Sequence, residues 1–414
     1  MRPKYDKSLN GVGLSLFKFC GFDINSGNLR NIDRLLKEED YDNIIVLMYS
    51  GLSSNLLDLY EDECSYLRSH QLMEITSVWP STSISTLTSL VSGKTPLEHK
   101  VFGINNCSSF KNIDYSNIIN EEFINKINSN SNIKAYGVLP FGVGSYDKVE
   151  EGFERILSIS RNNGKKIIFG YFNDLAQTIS KNGLDSNLVK NKLNKLTSNL
   201  KDLLEKLENS LVLVLSDCGY SNCSDIMMNK YPSVLNLIDK VIINDNRFCS
   251  VKLKSSFNEF KEEFMNKFNF DFDLYSKEEV IKKGLFGEVS SKKVELDFDC
   301  VIIGKRDKRL NFLEKASSAK SSNAGLTNKE VLLPVIVLKK KISREFIRQV
   351  VIGDFTEVRK MYTKIQTQRA LERGDIFIKY SGLSSFEFSD YCSRGSGAIC
   401  FVYVKNEQIL GFIT

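Results

Sequence analysis

A hydroxyl-rich segment around the chain's single tryptophan, Trp79, contains the side chains best suited to nucleophilic chemistry. It reads VWPSTSISTLTSLVSG, and its pattern predicts a helix that begins near Ser83. A hydroxyl at a helix N-terminus faces free amide groups and the positive end of the helix dipole. Ser83 is therefore either the N-cap of this helix, the commoner use of serine there, or a nucleophile that attacks phosphate. We expect Trp79 itself to lie in the core.

Two side chains with metal-ligand chemistry, Asp217 and Cys218, follow the apolar run Leu211–Leu215. A carboxylate and a thiolate both bind zinc. Each also has a structural interpretation, since Asp often caps a turn and free Cys packs as a small apolar residue. The chain has only two histidines, His70 and His99. Imidazole ligands and bases are therefore scarce, and we expect His99 to stabilise the turn after the Ser83 helix and His70 to be solvated.

Short apolar runs alternate with amphipathic helical patterns and must position these residues. The clearest helical pattern, Leu188–Leu207, repeats leucine on one face. Such alternation predicts an α/β fold with a central, mainly parallel sheet. Ligands in such sheets bind at the carboxyl ends of the strands, so the loops after Met48, Tyr171 and Leu215 are the expected site. The predicted strands are Ile44–Met48, Lys134–Val138, Lys166–Tyr171, Leu211–Ser216, Cys300–Ile303 and Val331–Leu338.

Composition excludes several classes of protein. The chain has 414 residues, 42% of them apolar, and a net charge of +5 that is spread along its length, which argues against nucleic acid as a partner. No apolar run approaches the roughly 20 residues that cross a membrane, and residues 1–10 are too charged for a signal peptide. Nine cysteines without a C-x-x-C pair predict reduced thiols and a cytoplasmic location. The LKKKI stretch at residues 338–342 predicts a domain boundary near residue 340.

Five ordered segments resemble the metal-dependent alkaline phosphatase superfamily, particularly its type I phosphodiesterase and nucleotide pyrophosphatase branch. The resemblance covers about residues 5–338. Its first element is the spacing of Trp79-Pro80, Ser83, Ser92-Gly93 and Pro96-Leu97-Glu98-His99. This implies an alkaline-phosphatase-like fold in which Ser83 holds the nucleophile position. The other segments are IIVLMYSGLSSNLL (44–57), YFNDLAQTISKNG (171–183), VLSDCGYSN (214–222) and AKSSNAGLTNKEVLLPVIV (319–337).

The ligand positions that the resemblance implies are largely altered. In that superfamily two divalent metals, commonly zinc, are held by the nucleophile and six Asp or His side chains. Of these six positions only Asp217 keeps its type, whereas framing residues such as Gly51, Tyr171, Gly183 and Gly219 remain. Ser and Ala supply no ligand that zinc favours. Carried over position by position, the six ligand positions hold Ser50, Ala176, Ser180, Asp217, Cys218 and Asn323.

These departures lead us to expect a pseudoenzyme with a degenerate metal site, no cofactor, and a binding or scaffolding role. Its partner would be a phosphate-containing small molecule or a protein. The alternative is a hydrolase of phosphate esters that uses Ser83 with one metal, such as zinc, at Asp217 and Cys218. Without a metal, ionisation of Ser83 lacks a Lewis acid or base to assist it.

The segment 341–414 has a different pattern. A strand at REFIRQVVIG leads to a helix whose N-cap is expected to be Asp354, and AICFVYVKNEQILGFIT predicts two strands around residues 405–407. This order resembles the opening half of a GNAT-type N-acetyltransferase, without the later Gly-rich turn that binds acetyl-CoA. A plain β-hairpin and helix is the alternative interpretation. A second functional alternative is that the chain is a fragment of a fusion with an N-acetyltransferase.

Overall fold

The computed structural model of the chain describes residues 1–103, 115–142, 144–245, 247–288, 295–341, 345–349, 356–358, 360, 361, 364, 401–405 and 408–413. The chain divides into two compact units, residues 1–340 and residues 341–414. The predicted Asp354 cap lies outside the described residues. No helix in the described part is both long enough and apolar enough to cross a membrane.

Fifteen α-helices are described, and the helix predicted near Ser83 and the Leu188–Leu207 helix are both confirmed. A π-helical segment, Asn120–Asn125, joins two of them, and short 3-10 turns lie at Tyr5–Lys7 and Met228–Lys230. The α-helices are α1 (Leu9–Phe19), α2 (Arg30–Lys37), α3 (Ser54–Leu59), α4 (Ser65–Ser69), α5 (Ser83–Ser92), α6 (Pro96–His99), α7 (Tyr115–Ile119), α8 (Lys126–Asn130), α9 (Val149–Ser160), α10 (Asp174–Asn182), α11 (Asn187–Lys206), α12 (Pro232–Leu235), α13 (Phe257–Phe268), α14 (Lys277–Lys282) and α15 (Asn328–Val331).

Seventeen strands are described, and all six predicted strands are among them within one or two residues. They are β1 (Asn43–Tyr49), β2 (Gln71–Thr76), β3 (Lys134–Val138), β4 (Lys166–Phe172), β5 (Ser210–Leu215), β6 (Ser221–Asn222), β7 (Ser224–Met227), β8 (Ile238–Asp245), β9 (Phe248–Leu253), β10 (Phe272–Ser276), β11 (Cys300–Gly304), β12 (Lys308–Asn311), β13 (Ser321–Ser322), β14 (Leu332–Lys340), β15 (Glu345–Gln349), β16 (Phe401–Lys405) and β17 (Gln408–Ile413).

The main sheet of residues 1–340 has the strand order β2-β14-β5-β1-β4-β3. Strands β5, β1, β4 and β3 are parallel, whereas β14 pairs antiparallel with both β2 and β5. The α/β fold with a central, mainly parallel sheet is therefore confirmed. One predicted strand, Cys300–Gly304, instead belongs to a second, antiparallel sheet of order β10-β11-β9-β8. A fully buried strand has the same apolar composition in either setting, so composition alone does not assign it to a sheet.

Helices cover both faces of the main sheet. Successive residues of β1 point to opposite faces. Ile44, Val46 and Met48 join a core with α1 and α5, while Ile45, Leu47 and Tyr49 join a second core with α10 and α11. Trp79 is fully buried and packs against Phe248 of the second sheet, which confirms its expected place in the core. Burial on both faces rigidly fixes the carboxyl ends of the central strands.

The unit of residues 341–414 contains a three-stranded antiparallel sheet of order β15-β16-β17. Residues 345–349 pair with 401–405, which in turn pair with 408–413. Residues 356–358 are helical. This pattern is an α+β arrangement, and its interpretation as part of an acetyltransferase remains a prediction.

Candidate functional site

The carboxyl ends of β1, β4 and β5 meet at one edge of the main sheet because the three strands are parallel. Ser50 follows β1, Asn173 follows β4, and Asp217 lies two residues after β5. Helix α5 begins beside them at Ser83. Together these elements border a cavity of about 750 Å³, here called the carboxyl-edge cavity, which both Ser50 and Ser83 line. The loops after Met48, Tyr171 and Leu215 meet at this edge, and the functional site expected there remains a prediction.

Asp217 is fully buried below this cavity, and its carboxylate is satisfied by the protein itself. Oδ1 accepts hydrogen bonds from the backbone N–H of Gly51 at 3.1 Å and of Cys218 at 2.7 Å. Oδ2 accepts one from the hydroxyl of Ser50 at 2.7 Å. The backbone oxygen of Asp217 accepts a further bond from Ser77 at 2.7 Å. These three donors occupy three of the roughly four lone-pair sites of the carboxylate.

Cys218 is a buried thiol. The side-chain amide of Asn323 donates to its Sγ at 2.9 Å, and the Ser83 side chain also hydrogen-bonds it. Burial, reinforced by the charge of Asp217, raises the pKa of Cys218 well above its ordinary value. In the metal-free chain the side chain is therefore a neutral thiol at pH 7. The amide oxygen of Asn323 accepts no hydrogen bond from any described residue.

Ser83 is the first residue of α5 and not its N-cap, so the capping prediction was wrong by one position. Thr82 is the cap: its Oγ1 accepts from the backbone N–H of Ser85 at 3.3 Å and donates to the carbonyl of Phe102 at 2.9 Å. Serine and threonine cap helices comparably well, so a Ser-Thr-Ser run leaves the boundary undetermined by sequence. The hydroxyl of Ser83 is left to line the carboxyl-edge cavity.

One face of α10 forms a wall of the cavity. Residues spaced three or four apart lie on the same side of a helix. Those that line the cavity here are Asn173, Ala176, Gln177, Ser180 and Lys181. Two of these, Ala176 and Ser180, are ligand positions in the superfamily resemblance. Here they contribute a methyl group and a hydroxyl.

Aromatic rings form another wall. Ring centroids of Phe141 lie 5.5 Å from Tyr115 and 5.6 Å from Tyr171, and all three rings are mutually tilted. Tyr220 also lines the cavity. Burial raises the pKa of Tyr115, Tyr171 and Tyr220 above the ordinary range, so their phenols are neutral donors. Sequence reasoning missed Tyr115 and Phe141, which no motif marks, whereas Tyr171 and Tyr220 adjoin motif residues.

Neither histidine lines the carboxyl-edge cavity. The Nε2 atom of His99 lies 2.9 Å from Oγ of Ser89, and its Nδ1 accepts from the backbone N–H of Val101 at 3.0 Å. Burial lowers the pKa of His99 to about 3. His99 therefore stabilises the turn after α5 as a neutral ring, as expected. His70 is the C-cap of α4, where it is half-buried and not fully solvated as expected, and its ring packs against Tyr66.

The loop that carries Asp217 and Cys218 is closely packed at Gly219. A Cβ built on Gly219 would lie 1.9 Å from the carbonyl oxygen of Lys329, so only glycine fits there. The backbone N–H of Gly219 donates to the carbonyl of Glu330 at 2.9 Å. Gly51, which faces Asp217 from the other side, has a φ of +91° that also favours glycine. The two loops that frame Asp217 are thus held in specific backbone conformations.

A two-metal centre does not fit these residues. Ser50, Ala176, Ser180 and Asn323 supply no carboxylate, imidazole or thiolate, and Asp217 already accepts three hydrogen bonds. In the part of the chain that the structure describes, no three His, Cys, Asp or Glu side chains are grouped as metal ligands. A catalytic zinc normally requires three such side chains.

Comparison with known proteins gives the same fold at very low identity. The structure is similar to murine ectonucleotide pyrophosphatase/phosphodiesterase 5, with a TM-score of 0.57 and 12% identity over 72% of this chain and 88% of that one. The structure is also similar to an inactive form of the murine protein in complex with AMP, with a TM-score of 0.56 and 13% identity over 74% of this chain and 89% of that one. For human ectonucleotide pyrophosphatase/phosphodiesterase 5 the TM-score is 0.54, with 13% identity over 72% of this chain and 88% of that one. No family model and no curated protein matches the chain. The fold is alkaline-phosphatase-like.

Proposed function

We propose that this chain is a pseudoenzyme that binds a phosphate-containing small molecule in the carboxyl-edge cavity without a metal pair. The observation that carries the proposal is the carboxylate of Asp217, which accepts hydrogen bonds from Ser50, Gly51 and Cys218 instead of facing a ligand. A cavity of about 750 Å³ remains open above it, within the usual size of a small-molecule site.

Catalysis by Ser83 has little support from its surroundings. A serine nucleophile needs an adjacent base or a metal to remove its proton. Ser83 contacts the thiol of Cys218, which is protonated at pH 7, and His99 hydrogen-bonds Ser89 and Val101 instead. Loss of both Lewis acids removes the charge stabilisation on which phosphate-ester hydrolysis in this fold depends.

The proposed ligand class rests on the fold. A structure similar to this one was solved in complex with AMP, a nucleoside phosphate. Retention of the framing loops at Gly51 and Gly219 preserves the position of the cavity even though the ligand positions have changed. We therefore propose that the chain has kept the binding of such a ligand and has lost its hydrolysis.

Metal content and turnover test the proposal together. Purified protein dialysed against buffer is analysed for zinc by mass spectrometry, and cleavage of a chromogenic phosphodiester is measured with and without added zinc. We expect well below one zinc per chain and no cleavage above the Ser83→Ala variant. About two zinc ions per chain would overturn the proposal. One zinc per chain, with turnover that Ser83→Ala and Cys218→Ser both abolish, would establish the one-metal hydrolase.

We also propose a cellular location and an assignment for residues 341–414. Scattered cysteines, of which the six described are all free thiols, support a cytoplasmic location, which cell fractionation tests. The order of the strands at residues 345–349, 401–405 and 408–413 supports an acetyltransferase-like module. Sequencing the coding DNA beyond residue 414 tests whether the chain is a fragment of a longer fusion with an N-acetyltransferase, and calorimetric titration with acetyl-CoA tests the module itself.

A further inference from the structure

A small cavity beside β10, an edge strand of the antiparallel sheet, is lined by basic side chains. It has a volume of about 270 Å³ and is bordered by β10, the end of α14 and the turn between β11 and β12. Among the described residues that line it, four carry a positively charged side chain and one, Asp273, a negatively charged one. It shares no described lining residue with the carboxyl-edge cavity. The four basic residues that define this basic cavity are Arg2, Lys283, Lys305 and Arg306.

The acidic side chain of the basic cavity is already paired. The Nζ atom of Lys305 lies 3.5 Å from Oδ1 of Asp273, and it donates to the carbonyl of Asn269 at 2.6 Å. Arg2 and Arg306 are both exposed, and neither makes an ion pair with any described residue. Like charges that lie around one cavity repel one another, and a bound anion removes that repulsion. The basic cavity therefore has an excess of positive charge that its own described residues do not balance.

The turn that carries Lys305 and Arg306 has a fixed backbone. The guanidinium of Arg247, which is fully buried, donates hydrogen bonds of 2.5 to 3.3 Å to four carbonyl oxygens in and beside this turn, those of Gly304, Lys305, Arg306 and Lys308. A backbone that is already ordered lowers the entropic cost of binding a ligand. The two basic side chains of the turn thus extend from a preorganised base.

Lys283 is held at the basic cavity by an aromatic ring. Its ammonium group lies 5.2 Å from the ring centroid of Tyr275, which is within the distance of a cation–π contact. Both residues line the cavity, and both are half-buried. The ring attracts the ammonium group without neutralising its charge, so Lys283 can still pair with an anion.

Two hydrogen bonds hold the segment that carries Arg2 beside the basic cavity. The hydroxyl of Tyr5 donates to the carbonyl of Leu285 at 2.8 Å, and Leu285 itself lines the cavity. The backbone N–H of Lys4 donates to Oγ1 of Thr76, in β2, at 2.9 Å. Separate segments of the sequence thus bring their positive charges to one cavity.

The size and the donors of the basic cavity limit its ligand. Its volume is below the roughly 300–1,000 Å³ of cavities that enclose drug-sized molecules, so it favours a compact ligand. A guanidinium group binds phosphate oxygens through two parallel hydrogen bonds, and two of the four basic side chains are arginines. A compact anion that carries several negative charges can contact more than one of these cations at once.

From this arrangement we propose that the basic cavity binds a compact oligophosphate anion, of which inorganic diphosphate is the smallest, with its oxygens on Arg2, Lys283 and Arg306. Magnesium usually accompanies phosphate groups that bind to proteins, whereas here the side chains themselves supply the positive charge. The site is separate from the carboxyl-edge cavity and independent of the function proposed for that cavity.

Calorimetric titration of the full chain with diphosphate tests the proposal. The buffer contains no metal and about 0.15 M sodium chloride, which screens weak attraction between exposed charges. Orthophosphate supplies a single phosphate group, and citrate supplies several negative charges on carboxylates. We expect diphosphate to bind at one site per chain, about tenfold or more tightly than either of the other two anions.

Single substitutions test the placement. Arg306→Gln and Lys283→Gln should each weaken diphosphate binding about tenfold, because each removes one charge that contacts the anion. Arg306→Lys keeps the charge but loses the planar guanidinium, so it should weaken binding less than Arg306→Gln does. Arg30→Gln, at an exposed arginine in the first turn of α2, is the matched control and should change binding less than about twofold. Thermal unfolding of each variant checks that it is folded like the parent.

Several results would each overturn the proposal. Equal binding of citrate would show general attraction of anions, and equal binding of orthophosphate would show a site for a single phosphate group. If Arg306→Gln has no larger effect than Arg30→Gln, Arg306 does not contact the ligand. Binding that is lost in Lys181→Gln but kept in Arg306→Gln would place the diphosphate in the carboxyl-edge cavity. Absence of binding at millimolar diphosphate would show that the basic cavity is not a site for this anion.

Discussion

The Nε atom of Arg247 lies 2.9 Å from Oε1 of Glu330, and both side chains are fully buried. The guanidinium also donates to the carbonyls of Gly304 and Lys305 at 2.9 and 2.6 Å. Glu330 lies in α15, which immediately precedes β14, so this pair connects the antiparallel sheet to the main sheet.

Removing the charge of Glu330 should therefore destabilise the chain strongly. Glu330→Gln leaves the Arg247 guanidinium buried without its counter-ion, at a cost of about 3–5 kcal/mol in the free energy of unfolding. Glu38→Gln breaks the exposed pair with Lys339 and should cost less than about 1 kcal/mol. Urea unfolding of both variants gives the comparison, and similar losses would show that burial of the Arg247 pair carries no special cost.

Ser50→Ala should destabilise the protein through Asp217. The substitution leaves Oδ2 of a fully buried carboxylate without its protein donor, which costs about 1–3 kcal/mol. Ser54→Ala is the control, because Ser54 is also buried but its hydroxyl has no partner among the described residues. Urea unfolding is again the measurement, and equal stability of the two variants would contradict the account of Asp217.

Helix α5 should depend on Thr82 and not on Ser83. Thr82→Ala removes both the cap of Ser85 and the bond to Phe102, so we expect a loss of about 1–2 kcal/mol. Ser83→Ala should stay within about 0.5 kcal/mol of the parent. Thermal unfolding of the two variants measures both losses. A larger loss for Ser83→Ala than for Thr82→Ala would indicate that Ser83 is the N-cap.

Acid should destabilise the folded chain partly through His99. Burial lowers the pKa of His99 to about 3, whereas an unfolded histidine takes up a proton near its ordinary value of 6.5. Stability is therefore lost as pH falls from 6.5 towards 3, at up to about 1.4 kcal/mol per pH unit from this group. His99→Gln should flatten the difference between unfolding free energies at pH 6 and pH 4.5. An unchanged pH dependence would mean that His99 is protonated in the folded chain.

The combined variant Ser50→Asp, Ala176→Asp, Ser180→His, Cys218→His and Asn323→His should bind zinc. The carboxylate introduced by Ser50→Asp would lie beside that of Asp217, so without metal the variant should melt below the parent. Saturating zinc should raise its melting temperature by several degrees, because a ligand that binds only the folded state stabilises it. The parent should show no such shift. If the variant folds but zinc does not raise its melting temperature, the loops no longer hold the superfamily geometry.

The parts of this structure that could be predicted are those encoded by continuous patterns. Runs such as Ile44–Met48 and the leucine face of α11 specify buried elements locally, and the ordered motifs locate Ser50, Ser83 and Asp217 at one sheet edge. The antiparallel sheet was missed except for β11, because two register shifts interrupt the pairing of β8 with β9 and β10 is only five residues long.

The aromatic wall could not be predicted for a different reason. Tyr115 begins α7 and Phe141 follows β3, so the two rings meet only after the parallel strands are arranged in space. The hydrogen bonds to the carboxylate of Asp217 could not be predicted from the sequence either. Sequence shows that Ser50 cannot replace a metal ligand, but only the fold shows that Ser50 donates to the neighbouring carboxylate.

The position of β14 determines when the main sheet can be completed during synthesis. Strand β2 pairs only with β14 among the described strands of this sheet, yet about 250 residues separate the two in sequence. At typical elongation rates of about 5–20 residues per second, synthesis of the residues between β2 and β14 takes on the order of ten to fifty seconds. Strands β1, β3, β4 and β5 can associate during that interval, whereas residues 71–76 lack their partner in this sheet until residues 332–336 have been made.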